Sequence, residues 1–121
     1  MSAEKGVAVV VTAMLLFVLL HSNVAQADTY NVGDSSGWGF NVTGWADNKS
    51  FKAGDTLVFK YKTEFHNVVA VNKACYDSCE PTGKVYESGN DEIELEKGDS
   101  YFICGKPGHC AAGMKIAVAA A

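Results

Sequence analysis

Beyond residue 55, apolar and polar side chains alternate with a period of two, the signature of β-strands with one face in a core. Thr56–Tyr61, His66–Val71, Glu92–Glu96, Ser100–Cys104 and Lys115–Ala119 read as strands, and Thr29–Val32 reads as a first one. Gly54-Asp55, Gly89-Asn90-Asp91 and Lys97-Gly98-Asp99 punctuate them as turns. In Glu92–Glu96 the acids alternate with Ile93 and Leu95, which describes an antiparallel strand with a wet face and not an acidic tail. Lys73–Glu80, ahead of Pro81, suits a short helix. The expected fold class is all-β, a Greek-key β-sandwich or barrel with one or two short helices and no internal repeat.

The N-terminus follows another rule. After Lys5 a mostly apolar run from Gly6 to Leu20 is followed by His21, Ser22 and Asn23 and then by the small-x-small sequence Ala25-Gln26-Ala27. This is the layout of a secretory signal peptide over residues 1–27, with cleavage after Ala27. The run falls short of the roughly 20 residues that span a bilayer, so no membrane anchor is expected. Nor does the end of the chain carry the spacer and apolar tail of a lipid-anchor signal.

The remaining 94 residues, Asp28–Ala121, suffice for one small domain with one core. Trp38, Phe40, Trp45 and Phe51 cluster in Gly37–Phe51 and are expected to fill that core rather than form a ligand surface. There is no Arg, and the mature charge is -4, so nucleic acid and anionic membranes are poor partners. Asn41-Val42-Thr43 and Asn48-Lys49-Ser50 are sequons in a polar, Gly-containing stretch, which makes Asn41 and Asn48 candidate glycan sites on surface turns.

The chemistry lies near the C-terminus. Cys104, His109 and Met114 stand in a C-x4-H-x4-M pattern, with His66 38 residues before the Cys. His21, Met1 and Met14 all fall in the leader, so every His and Met of the mature chain belongs to this set. Two imidazoles, a thiolate and a weak thioether are the ligands of a soft, redox-active copper ion. Zinc also accepts Cys and His, but its structural sites scarcely use thioether. One loop supplies three of the four donors. Its glycines allow tight turns and Pro107 limits its freedom. The cysteines leave an alternative open: four in a small secreted chain allow two disulfides in three pairings, and an oxidised Cys104 has no thiolate to offer.

The blocks Tyr30-Asn31-Val32-Gly33, Phe51-Lys52-Ala53-Gly54-Asp55, His66-Asn67-Val68-Val69, Lys97–Cys104 and Pro107-Gly108-His109-Cys110 through Met114–Val118 resemble the phytocyanins, plant blue copper proteins of the cupredoxin fold. Within them the chain is similar to the plantacyanin type. The resemblance spans the mature chain. It implies that His66, Cys104 and His109 bind one copper ion strongly and Met114 weakly, where a Gln would mark the stellacyanin type. It implies a Cys79–Cys110 disulfide, leaving Cys75 as an odd thiol outside the usual pattern. It also implies that Asn67 hydrogen-bonds around the Cys sulfur and stiffens the site. Plantacyanins are often basic, whereas this chain is acidic.

The expected function is single-electron transfer by Cu(I)/Cu(II) cycling in the plant apoplast or cell wall, with His109 offering an edge for electrons. The partner is a transient redox protein or a small-molecule electron donor or acceptor, and the protein is a monomer. An enzyme is not expected, because four protein ligands leave copper no open position and no spare His remains as a general base. The alternatives are an extracellular recognition or signalling protein in which copper is structural, and a copper store.

Overall fold

The computed structural model describes residues 26–121. The leader expected over residues 1–27 therefore lies almost wholly outside the described residues. Among the described residues seven strands form two sheets. β1 (Thr29–Asn31), β2 (Thr56–Lys60) and β5 (Asn90–Glu94) make the first, in the order β1-β2-β5. β3 (Val68–Val71), β4 (Lys84–Tyr86), β6 (Gly98–Ile103) and β7 (Lys115–Ala120) make the second, in the order β4-β3-β6-β7. β1 and β2 pair in parallel and all the other ladders are antiparallel. The two sheets face each other as an open sandwich rather than a closed barrel, with one bridge between Phe51 and Ala120.

The alternation read from the sequence sorts residues onto the two faces of the second sheet. Val68, Phe102, Cys104, Ile116 and Val118 point into the main core with Leu57, Phe59, Trp38 and Met114. Their neighbours Val69 and Ile103 point the opposite way into a smaller cluster with Cys110. That outer face is covered by α1 (Lys73–Ser78), whose Tyr76 packs there together with Cys79. The helix starts where Asn72 caps it, its Oδ1 accepting the Cys75 N–H at 2.9 Å. It stops at Cys79, which takes the left-handed conformation (φ 58°).

The expected strands are present with shifted ends, and β4 is an addition. Lys84–Tyr86 is short and mostly exposed, so it has no burial pattern for a sequence reading to find. His66 does not begin a strand; it precedes β3 in a turn closed by the N–H groups of Phe65 and His66 on the Lys62 carbonyl. Of the four aromatics expected in the core, Trp38 and Phe51 are buried and Trp45 is half-buried. Phe40 corrects that expectation. It lies past the end of the sandwich in the loop after Gly39 and is 48% exposed. Asn41 and Asn48 are both exposed.

Strand directions place Cys104 and Met114 at one end of the sandwich and Asp55 and Ala121 at the other. Asp55 organises that far end. Fully buried, it accepts the Asp28 N–H on Oδ1 and the Lys52 N–H on Oδ2, each at 2.9 Å. Its own carbonyl accepts the Leu95 N–H at 2.7 Å. Burial alone would raise the Asp55 pKa, but the two N–H donors and the Lys52 ammonium outweigh it and hold the carboxyl below its ordinary value.

A depressed folded-state pKa makes a stabilising contribution that is present above the unfolded value of about 3.9 and lost as pH falls through the folded value. Asp55→Asn turns an acceptor pair into an acceptor and a donor, opposing one backbone N–H. We expect a loss of about 1 to 3 kcal/mol at pH 7. The variant's urea midpoint should also fall less than the wild type's between pH 5 and pH 2. Equal acid sensitivity of the two proteins would remove Asp55 from the account.

Candidate metal centre

Cys104 lies one residue beyond β6 and Met114 one residue before β7, so the loop between them continues the β6–β7 hairpin. Its two ends are tied: the Cys104 N–H donates to the Met114 carbonyl and the Met114 N–H to the His109 carbonyl, each at 3.0 Å. A tight turn, the His109 N–H on the Lys106 carbonyl, sends His109 back over the sandwich end. His66 arrives from the turn before β3, where no ladder holds it. In this way the topology brings residues 38 positions apart to one point.

His66, Cys104 and His109 offer three donor atoms within 4.8 Å of one another. The two Nδ1 atoms are 3.1 Å apart, and Cys104 Sγ is 3.5 Å from that of His109 and 3.9 Å from that of His66. A point in the plane of this triangle lies about 2 Å from all three, a metal–nitrogen bond length. Cys104 is buried at 1% exposure and both imidazoles are half-buried. Burial, then the neighbouring His109, push the His66 pKa below its ordinary value, favouring the neutral, metal-binding form. Met114 is fully buried in the core cluster that contains Cys104. A thioether at such a position suits a weak soft ligand for copper, so the donor set fits a type 1 site.

Neighbours stiffen this geometry. Asn67 Oδ1 accepts the Gly105 N–H at 2.6 Å, clamping the residue after His66 to the residue after Cys104. Gly105 allows that close approach: a Cβ there would stand 2.9 Å from Val69 Cγ2 and 3.2 Å from Asn67 Oδ1. The Asn67 carbonyl in turn accepts the Trp38 indole N–H at 2.9 Å, so the clamp is anchored in the core. On the outer face Cys79 and Cys110 form the disulfide, joining the end of α1 to the residue after His109. Cys104 and Cys75 are free thiols. The two-disulfide alternative is thus set aside, and Cys104 remains available as a thiolate.

Sequence reasoning missed the aromatic rim. The Phe40 ring lies 4.9 Å from that of His109 and 5.6 Å from that of His66, centroid to centroid. Phe65, 56% exposed, also lies beside His66, its ring centroid 6.5 Å from the imidazole. Beside it runs a groove of about 680 Å³ lined by Trp38, Gly39, Tyr61, Lys62, Phe65 and His66 among others. The available signal was the position of Phe40 and Phe65 in turn-rich segments outside any alternating run.

A two-sheet sandwich carrying two His, a Cys and a Met at one end defines a cupredoxin-like blue copper protein. The comparisons agree. The plastocyanin-like domain family matches residues 36–114. Chemocyanin of Lilium longiflorum is 48% identical over 122 residues, covering 99% of this chain and 95% of that protein. The basic blue protein of Arabidopsis thaliana is 50% identical over 122 residues, covering 98% and 95%. The solved structure of cucumber basic protein, a blue copper protein, superposes with a TM-score of 0.75 at 55% identity, covering 77% of this chain and 99% of that one. The chain belongs to the plastocyanin-like family, in its phytocyanin branch.

The disulfide closes 31 residues of chain, for which the loop-entropy model gives about 3 to 4 kcal/mol. Replacing Cys79 and Cys110 together by Ser should lower unfolding free energy by that order and loosen the loop at His109. Denaturant unfolding of the two proteins checks the first effect, and faster amide hydrogen exchange across 105–113 checks the second.

Proposed function

We propose that His66, Cys104, His109 and Met114 hold one copper ion and that the protein carries single electrons between partners. The observation behind this reading is the convergence of two Nδ1 atoms and one buried thiol on a common point about 2 Å away. Bound copper supplies a one-electron Cu(I)/Cu(II) couple. Cys104 would release its proton to solvent and hold the ion as thiolate, and the two imidazoles would hold it in their neutral forms. The clamp through Asn67 and Gly105 and the ties across the loop keep these donors in place in either oxidation state, so little rearrangement opposes electron exchange. Met114 comes from the packed core and admits no water on that side. His109 and His66 present half-buried edges among Phe40 and Phe65, and electrons enter and leave there.

The same reading makes the protein a carrier and not an enzyme, since its four donors leave no vacant position for substrate. Among the described residues no helix is long and apolar enough to cross a membrane. Residues 1–27 act as a cleaved secretory leader, the mature monomer resides in the apoplast or cell wall, and its partners are transient redox proteins or small donors and acceptors. Asn67 acts as a positioning residue for the site.

Stoichiometric Cu(II) added to the purified protein should produce an intense blue thiolate-to-copper band and narrow copper hyperfine splitting. Cys104→Ser should abolish the band. Met114→Gln should keep it and lower the reduction potential, because an amide oxygen is a harder donor that favours Cu(II). A colourless wild-type protein with Cys104 still free would overturn the reading.

A further inference from the structure

The turn that carries Phe40 continues directly into the sequon Asn41-Val42-Thr43, and the structure ties this segment to the ligand loop. Thr43 Oγ1 donates to the Gly113 carbonyl at 2.9 Å, one residue before Met114. Gly113 has φ 101°, and a Cβ there would stand 3.6 Å from the Asn41 N and from Thr43 Oγ1, so the two segments lie in near contact. Val42 is buried, which fixes the segment, while Asn41 is exposed. Asn41 takes the left-handed conformation (φ 69°), which Asn tolerates better than most residues.

We propose that Asn41 carries an N-linked glycan that stands on the rim of the metal site and restricts electron exchange through the Phe40–His109 edge to small molecules. This rests on the copper reading above. The modification joins Asn41 Nδ2 to the reducing-end carbon of a lipid-linked oligosaccharide, the lipid diphosphate leaving and the amide losing one proton. Thr43 is engaged with Gly113 in the folded protein, so the sugar is added before the ligand loop closes.

Dimensions decide the consequence. A weak redox encounter between proteins covers about 600 Å² on each, a disc of roughly 14 Å radius. A glycan rooted one residue from Phe40, about 4 Å along the chain, falls inside any such disc centred on Phe40 and His109. A bulky, hydrated chain there opposes close docking of a macromolecule. A small reagent needs no such area, and the groove beside His66 has none of residues 41–43 in its lining. The sequon at Asn48 sits in a separate turn, closed by Asp47 on Gly44 and Lys49 on Ala46, and among the described residues no hydrogen bond ties that turn to the ligand loop.

The test uses copper-loaded protein secreted from plant cells, as wild type, Asn41→Gln and Thr43→Ser. Gln removes the glycan acceptor without adding a charge; Ser keeps both the sequon and the hydroxyl. Peptide mass should show a glycan at Asn41 in wild type and Thr43→Ser. Electron exchange with cytochrome c should be about tenfold or more faster in Asn41→Gln, within the range that association rates span among variants of one interface. Rates with ferricyanide should match across all forms. Unmodified Asn41, or equal cytochrome c rates in blue protein with and without the glycan, would overturn the proposal alone. Absence of the blue band from every form would overturn it together with the copper reading.

Discussion

Two imidazole nitrogens 3.1 Å apart and a thiol sulfur 3.5 and 3.9 Å from them bring three sets of lone pairs to one point. Such atoms are stabilised together by a cation among them or by protons shared between them. Left to a flexible chain they would separate, so the fold must supply the restraint. It does so on three sides. Backbone bonds between Cys104 and Met114 and between Met114 and His109 close the loop. The Trp38–Asn67–Gly105 chain ties His66 to Cys104 through the core. The Cys79–Cys110 disulfide holds the loop against the helix on the outer face.

The second sheet makes this arrangement possible because its alternation serves two cores at once. Inward residues such as Phe102 lead to Cys104, so the thiol sits in an apolar interior beside Met114. Outward residues such as Ile103 need cover of their own, which α1 and the disulfide provide. The cover over the sheet and the anchor of the ligand loop are therefore one structure. At the opposite end Asp55 performs a comparable task with polar chemistry. One buried residue collects three segments: its carboxylate accepts from the residue before β1 and from the turn before β2, and its backbone carbonyl accepts from the residue after β5. A stiff far end limits how far the strands that deliver the ligands can shift.

At the metal end the surface is neither uniformly apolar nor uniformly charged. Phe40 and Phe65 expose rings beside the two imidazoles while the rest of the loop is backbone, small residues and Lys. Exposed aromatics next to a redox-competent donor set give electrons a short path to the outside. They also make anything attached nearby consequential, and the Asn41 sequon begins one residue from Phe40.

Much of this was legible in the chain itself. Period-two alternation and turn residues located six of the seven strands, because burial of one face is a local constraint written into every second residue. The donor set was legible because every His and Met beyond residue 27 falls within it and because thiolate with thioether is chemistry specific to soft copper. β4 was not legible: three mostly exposed residues carry no such constraint. The outward turn of Phe40, the burial of Asp55 and the release of His66 from its strand were equally hidden, since each depends on where a loop stands relative to the end of the sandwich. Composition alone left three cysteine pairings open. Packing settled the matter by placing Cys79, at the end of a helix, against Cys110 on the outer face while Cys104 turned inward on the same sheet. The sequence by itself determined which atoms the protein offers and the period on which its strands are built, because both are properties of residues and their immediate neighbours. Only the tertiary structure decided which distant residues meet and which face solvent, because those outcomes follow from how two sheets, one helix and one loop share the same limited space.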